Sequence, residues 1–285
     1  MQNTRIGWVG LGRMGTPMSQ RLIKAGCPVT VYNRNKEKEQ ELINAGAASA
    51  ASPMQLMQRA DVIILMVSDD AATRNIFTAD DGLLAAAVTG KIIINMSTVS
   101  PDVSREMSAL CDAQQNCYID APVSGSVKQA EESQLVIMAG GEETAFLQAK
   151  LVLEKMGKLV MYMGEVGSGN TTKLAMNTLL ALQAQGLAEA AVFAQKHGIA
   201  LADLFTLINN SAMGSIFLKI KGDAIAAKNY QPAFALKHIV KDLQLARNAG
   251  LQTPLAETAL KTFSGAESAA GESDIIAIAK ELGLN

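Results

Sequence analysis

The chain has 285 residues, 49% of them hydrophobic and 18% charged, enough for two ordinary domains or one large one with a substantial core. A formal net charge of −2 with no basic stripe gives no reason to expect nucleic acid as a partner, and with no apolar run of 18 residues no membrane-spanning helix is expected. Three cysteines, Cys27, Cys111 and Cys117, form no CxxC pair, so neither a disulfide framework nor a metal site is expected, and a reducing cytoplasm fits.

The first strand is expected over Ile6–Val9, an apolar run too short for the core of a signal peptide. It leads into Gly10-Leu11-Gly12-Arg13-Met14-Gly15, and a helical run over 14–25 follows. GxGxxG between a strand and a helix is a dinucleotide-binding fingerprint. Gly10 permits the tight turn, Gly12 the close approach of a pyrophosphate, and Gly15 the close packing of helix on strand, with the helix N-terminus facing the phosphates. Leu11, Arg13 and Met14 complete the expected cofactor loop. The second strand, 28–32, ends at Asn33-Arg34, the place where an NAD-selective site carries an acid for the ribose hydroxyls. A carboxylate there would repel the 2′-phosphate of NADP, whereas an arginine fork binds it with charge-assisted hydrogen bonds. NADP(H) is therefore the expected cofactor, with Lys36 and Lys38 close behind Arg34.

Further strands are expected over 62–67, 91–96, 117–119, 135–138 and 159–162, several as the continuous apolar runs of parallel strands covered on both faces. Ser52-Pro53 and Ser100-Pro101 each place a capping hydroxyl before a proline at the first helical position. The alternation predicts an α/β domain over 1–165 with a Rossmann-type doubly wound parallel sheet. Val67-Ser68 and Thr98 follow strands at their carboxyl ends, the edge on which open α/β sheets bind ligands. From 166 to 285 helical patterns follow one another and predict an all-α domain. A long helix over about 168–197 stops at the basic turn Lys196-His197 before Gly198, and later helices start near Leu201, Ser215, Ala235, Pro254 and Ser273-Asp274.

Lys173 and Asn177 stand four residues apart on that long helix, so the ammonium and the carboxamide share one face. Hydride transfer to a carbonyl creates an alkoxide, and the barrier falls if a proton donor meets the oxygen as charge develops. A lysine at its ordinary pKa of about 10.4 is a poor acid near neutrality, so the chemistry requires a desolvated cleft that lowers it. The two histidines are the rivals. His197 sits in a helical C-terminal turn suited to capping, and His238 has no carboxylate partner evident in the sequence.

The glycine loop, Asp120-Ala121-Pro122-Val123-Ser124-Gly125-Ser126, the 167–177 segment and Lys241-Asp242-Leu243 occur in an order that resembles the β-hydroxyacid dehydrogenase family over essentially the whole chain. The resemblance implies a Rossmann domain paired with an all-helical domain and an active site in the cleft between them. It implies Lys173 as the catalytic lysine and Asn177 as its orienting partner. Ser124 and Gly125 would hold a substrate carboxylate, and Thr98 would touch both nicotinamide and substrate. Phe234, Lys241 and Asp242 would be the helical domain's contribution, Lys241 toward the cofactor. Ser126 departs from the commoner glycine. With Lys128, Ala130-Glu131 and the 234–238 segment, the pattern is most similar to the glyoxylate/succinic semialdehyde reductase (γ-hydroxybutyrate dehydrogenase) branch, whose members prefer NADPH. The expected partner is a small carboxylate-bearing aldehyde or hydroxy acid, and a homodimer or homotetramer is expected. The alternatives are a 3-hydroxyisobutyrate or tartronate semialdehyde-type dehydrogenase, an imine reductase-like enzyme, against which Lys173 argues, and an NADP-binding sensor without turnover.

Overall fold

The computed structural model describes residues 4–284. Its first unit alternates β1 (Ile6–Val9), α1 (Gly15–Lys24), β2 (Val29–Tyr32), α2 (Gln40–Asn44), β3 (Ala48–Ser49), α3 (Pro53–Arg59), β4 (Val62–Leu65), α4 (Asp70–Thr78), β5 (Ile92–Asn95), α5 (Pro101–Asp112) and β6 (Cys117–Asp120). These are followed by β7 (Val123–Ser124), α6 (Val127–Glu131), β8 (Leu135–Gly141), α7 (Glu143–Leu153) and β9 (Gly157–Gly164). The helix starts obey the local rules. The Ser52 and Ser100 hydroxyls accept from the N–H groups of Gln55 and Val103, with Pro53 and Pro101 in the first turn.

The strands form one sheet in the order β3-β2-β1-β4-β5-β6-β8-β7, with β9 on β8. From β3 to β6 every pair is parallel, the order of two linked mononucleotide-binding halves. The doubly wound parallel sheet is as expected, and beyond β6 it continues with antiparallel pairs. β8 runs antiparallel to β6 and to β7, and β9 is parallel to β8. The chain between β6 and β8 holds only the two-residue β7 and a five-residue helix, too little for a parallel crossover, and antiparallel pairing needs none. The two-residue strands β3 and β7 escape the sequence because so short a segment has no period to detect.

Side-chain alternation along the strands divides the core in two. Ile6, Trp8, Val31, Ile64 and Ile94 pack in one cluster, while Val9, Ile63, Leu65 and Ile93 pack in another. Central strands β1 and β4 are buried throughout, so both faces of the sheet are covered.

After Gly164 the structure is helical: α8 (Ser168–Lys196), α9 (Leu201–Asn209), α10 (Ile216–Ala226), α11 (Leu236–Asn248), α12 (Pro254–Ala270) and α13 (Ile278–Glu281). They surround their own core, in which Leu187, Phe205, Ile239, Leu243, Phe263 and Ile276 are buried together. The chain divides into two compact units, Met1–Lys173 and Leu174–Asn285, so the division falls inside α8. Among the described residues no helix is long and apolar enough to cross a membrane.

Candidate active site

The registers bring the last residues of the parallel strands side by side: Tyr32 and Leu65 flank Val9, Asn95 lies opposite Leu65, and Asp120 opposite Asn95. The loops that follow therefore share one sheet edge. On it, Gly10 adopts φ +96°, and a Cβ there would meet the Met66 carbonyl oxygen at 2.3 Å. A Cβ on Gly15 would come within 2.1 Å of the Gly10 carbonyl oxygen, which also accepts from the Trp8 indole N–H at 2.9 Å. Neither position tolerates a side chain. Gly12 differs: it is exposed, and a Cβ there would meet nothing within 4 Å. Open space above the middle glycine is where a pyrophosphate needs room, and Met14 at the N-cap of α1 supplies no side-chain cap. The loop thus fits a dinucleotide. Arg13 is exposed beside Gly12. Leu11 serves the loop's shape, with its side chain buried in the core and its N–H donating to Asn33 Oδ1 at 3.0 Å.

Asn33 is the hub of the β2 end. Besides accepting from Leu11, its Nδ2 donates to the Asn35 carbonyl at 2.8 Å, and its own N–H donates to Glu39 Oε1 at 2.7 Å. Glu39 is buried and also accepts from the Ser49 hydroxyl and the Lys36 ammonium. Lys36 also donates to the Ala50 carbonyl at 2.6 Å, so two of its three donors are spent within the protein. Arg34 and Lys38 are exposed. Glu39 was not expected from the sequence, where it reads as one charge in a solvated run.

Val67 and Thr98 are half-buried and Ser68 is exposed. Their loops are stitched together, since Val67 N–H donates to Ser97 Oγ at 2.8 Å and Ser100 N–H donates to Asp70 Oδ1 at 2.9 Å. Ser124 is half-buried at the end of β7, and Gly125 after it is exposed with φ +143°, a conformation that favours glycine.

Two residues without an assigned role in the sequence tie these loops to α8. The Asp120 carboxylate is fully buried and accepts from the N–H groups of Gly167 and Asn170, each at 2.7 Å. Burial pushes its pKa up to about 6, although those two N–H groups pull the other way. Asn170, also fully buried, accepts from Val99 N–H at 3.0 Å through Oδ1 and donates to Ser104 Oγ at 3.2 Å. These bonds draw the first turn of α8, up to the half-buried Lys173, into the first unit.

In the second unit, Asn177 Nδ2 donates to Asp242 Oδ2 at 2.6 Å, and both residues are buried. Lys241 Nζ lies 3.2 Å from Asp242 Oδ1, an ion pair that compensates for an oxygen otherwise without a hydrogen bond. Half-buried Phe234 stacks on the ring of His238 with centroids 6.2 Å apart. His238 lies on α11, and its pKa is lowered by burial of the ring and by Lys241 and Lys237. The segment of Phe234 is organised by a buried pair that the sequence did not disclose. Asp274 binds the Lys221 ammonium at 2.6 Å and accepts from the N–H groups of Ala233 and Phe234.

Two family models match the chain: residues 5–164 match the NAD binding domain of 6-phosphogluconate dehydrogenase, and residues 167–282 the NAD-binding domain of NADP-dependent 3-hydroxyisobutyrate dehydrogenase. Glyoxylate/succinic semialdehyde reductase 1 of Arabidopsis thaliana is 34% identical over 267 residues, 92% of each chain. Among solved structures, the Mycobacterium tuberculosis 3-hydroxyisobutyrate dehydrogenase with L-serine superposes with a TM-score of 0.91 at 30% identity over 99% of both chains. Psf3 in complex with NADP+ and 2-OPP does so with a TM-score of 0.88 at 27% identity, over 98% of this chain and 100% of that one. Sheet order, glycine loop and helical second unit define a nicotinamide-nucleotide-dependent oxidoreductase. Within that class, the chain belongs to the β-hydroxyacid dehydrogenase family.

Proposed function

We propose that the protein is an NADPH-dependent reductase of small aldehyde acids such as glyoxylate or succinic semialdehyde, and the corresponding hydroxy-acid dehydrogenase in reverse. The observation that carries this reading is the α8 pair. Lys173 precedes Asn177 by one turn, and the Asn177 amide is committed through Nδ2 to buried Asp242, which leaves Oδ1 as the atom it offers an ammonium. Reduced nicotinamide, when bound, supplies the hydride. Lys173 then gives a proton to the substrate oxygen as charge develops and takes one back in oxidation, a contribution of roughly 10²- to 10⁴-fold. The Ser124 hydroxyl and the Gly125 N–H hold the substrate carboxylate with Thr98 on the same unit, and Phe234 and Asp242 are the helical unit's candidate substrate residues. Gly10, Gly12, Arg13, Met14, Gly15, Val67, Ser68 and Lys241 serve the cofactor.

NADPH is favoured over NADH because Asn33 stands where an acid would bind the ribose hydroxyls, next to the exposed Arg34 guanidinium. Likeness to the Arabidopsis reductase supports the aldehyde-acid branch, and likeness to the mycobacterial enzyme keeps 3-hydroxyisobutyrate oxidation as the second reading. We place the protein in the cytoplasm, where three unpaired thiols fit a reducing milieu, and as a homodimer or homotetramer. The test is a panel followed by nicotinamide absorbance: glyoxylate, succinic semialdehyde and matched neutral aldehydes with NADPH and NADH, and 3-hydroxyisobutyrate with both oxidised cofactors. The aldehyde acids with NADPH are expected to give the highest kcat/KM. A higher value for 3-hydroxyisobutyrate selects the second reading, and neutral aldehydes equal to the acids overturn the assignment of Ser124 and Gly125.

A further inference from the structure

The first turn of α8 is held by more than helix caps usually provide. Asp120 comes from the end of β6, yet both its oxygens close on that turn, one on Gly167 N–H and the other on Asn170 N–H. Asn170 then reaches the opposite way, to Val99 N–H and to Ser104 Oγ on α5. Val99 directly follows Thr98, and Lys173 follows Asn170 by three residues, hence on the same helical face. The backbone leaves no slack around this lock. A Cβ on Gly169 would meet the Met138 carbonyl oxygen at 2.4 Å and the Asp120 carbonyl oxygen at 2.6 Å, and one on Gly140 would meet Asp120 Oδ1 and the Glu165 carbonyl oxygen at 2.7 Å each.

We infer that Asp120 and Asn170 are positioning residues that set the Lys173 ammonium in register with the Thr98 loop. The inference rests on Lys173 being the proton donor. A cap that only stabilised the helix would need Asp120 alone. Asn170 adds the part that a cap does not require, because its carboxamide spans from the helix turn to the loop after β5, and all four of Val99, Ser104, Asp120 and Asn170 are buried away from competing water. Four buried hydrogen bonds with both partners inside one unit tie the glycine-loop sheet to the helix. Losing the carboxamide leaves Val99 N–H buried and unpaired, so the loop and the turn separate to find water or another acceptor. A displacement near 1 Å at the proton donor is enough to slow a reaction on the order of 10²-fold.

The experiment is a double-mutant cycle on the holoenzyme, with hydride transfer measured in single turnovers by NADPH absorbance. Asn170→Ala is expected to slow wild type by about 10- to 100-fold. In a Lys173→Ala background the same change is expected to cost less than about threefold, because the group it positions is gone. NADPH affinity, read from the emission of the single tryptophan, Trp8, beside the glycine loop, should stay within about threefold in every variant. Ser104→Ala removes only the second anchor of Asn170 and should show the same pattern more mildly, which serves if Asn170→Ala is poorly folded. Equal losses in both backgrounds, or no loss in wild type, overturn the positioning role while leaving Lys173 in place. A Lys173→Ala enzyme with near wild-type turnover overturns the proton-donor reading and this inference with it.

Discussion

The Asn33 carboxamide accepts from the Leu11 N–H and donates to the Asn35 carbonyl, and among side chains of this size only an amide does both. Asn33→Asp keeps the acceptor but sets a carboxylate oxygen against a carbonyl oxygen, at a cost of about 1 kcal/mol in stability. The same change sets negative charge against the 2′-phosphate in the proposed NADPH site, so KM for NADPH should rise while KM for NADH falls or stays. If Arg34 grips the 2′-phosphate as proposed, Arg34→Ala removes a charge-assisted contact worth about 1.5–3 kcal/mol, which is roughly ten- to a hundredfold in NADPH affinity. Steady-state KM values for both cofactors check the two variants together, and equal preference in wild type and Arg34→Ala would sink the assignment. In the proposed mechanism Lys173 acts in the transition state and not in nucleotide binding. Lys173→Ala should therefore lower kcat by about 10²-fold or more with NADPH affinity nearly unchanged. Lys173→Arg should fail almost as badly, since a guanidinium holds its proton. Retention of kcat within a few-fold would move suspicion to His238.

At the scale of elements, the informative piece is the joint between β6 and α8. Asp120 is a carboxylate whose two acceptors are filled by helix N–H groups, yet desolvation wins and its pKa rises from 3.8 to about 6. A raised value means that the folded state binds the proton more tightly than the unfolded chain. The stability contributed by this group is thus fully present below about pH 4 and is lost as pH rises through about 6. Asp120→Asn has no such dependence. Urea midpoints of the two proteins should therefore differ by an amount that shifts against wild type between about pH 4 and 6 and is flat above. A gap independent of pH across that window would show that Asp120 titrates at its ordinary value. Tyr118, on the same strand, is also pushed up by burial, but it titrates far above this window and does not confuse the measurement.

For the whole molecule, apolar surface is unevenly spent. The second unit exposes Leu179, Phe193, Leu207, Met213, Ile216 and Leu255, most of them by two thirds or more, although its own core is complete. Gathered into one patch, exposed apolar groups of this size would make an interaction surface. A second copy of the chain is the occupant we expect, with a standard interface burying about 800 Å² per partner. Sedimentation equilibrium at micromolar concentration should give a dimer or tetramer. Phe193→Asp with Ile216→Asp should shift it toward monomer without loss of helical circular dichroism. A monomeric wild type would end the proposal.

Much of the architecture was legible because it depends on neighbours in the chain. Apolar runs mark β1, β4 and β5, serine-proline pairs mark α3 and α5, and the spacing of Gly10, Gly12 and Gly15 after a strand marks the nucleotide loop. Helix starts near Leu201, Ser215, Ala235 and Pro254 were legible in the same way, and the structure begins those helices at Leu201, Ile216, Leu236 and Pro254. What only the tertiary structure decided are pairings between single polar groups far apart in sequence. Asp120 meets Gly167 across 47 residues, Asn177 meets Asp242 across 65, and Lys221 meets Asp274 across 53. Such contacts leave no period in the chain, because one polar residue in an apolar run looks the same whether it finds a partner or faces water. The antiparallel turn of the sheet at β8 is of the same kind, since its direction is set by how β6, β7 and β8 meet in space. Local geometry is written in adjacent residues, whereas the partner of a buried charge is chosen only when the fold excludes water around it.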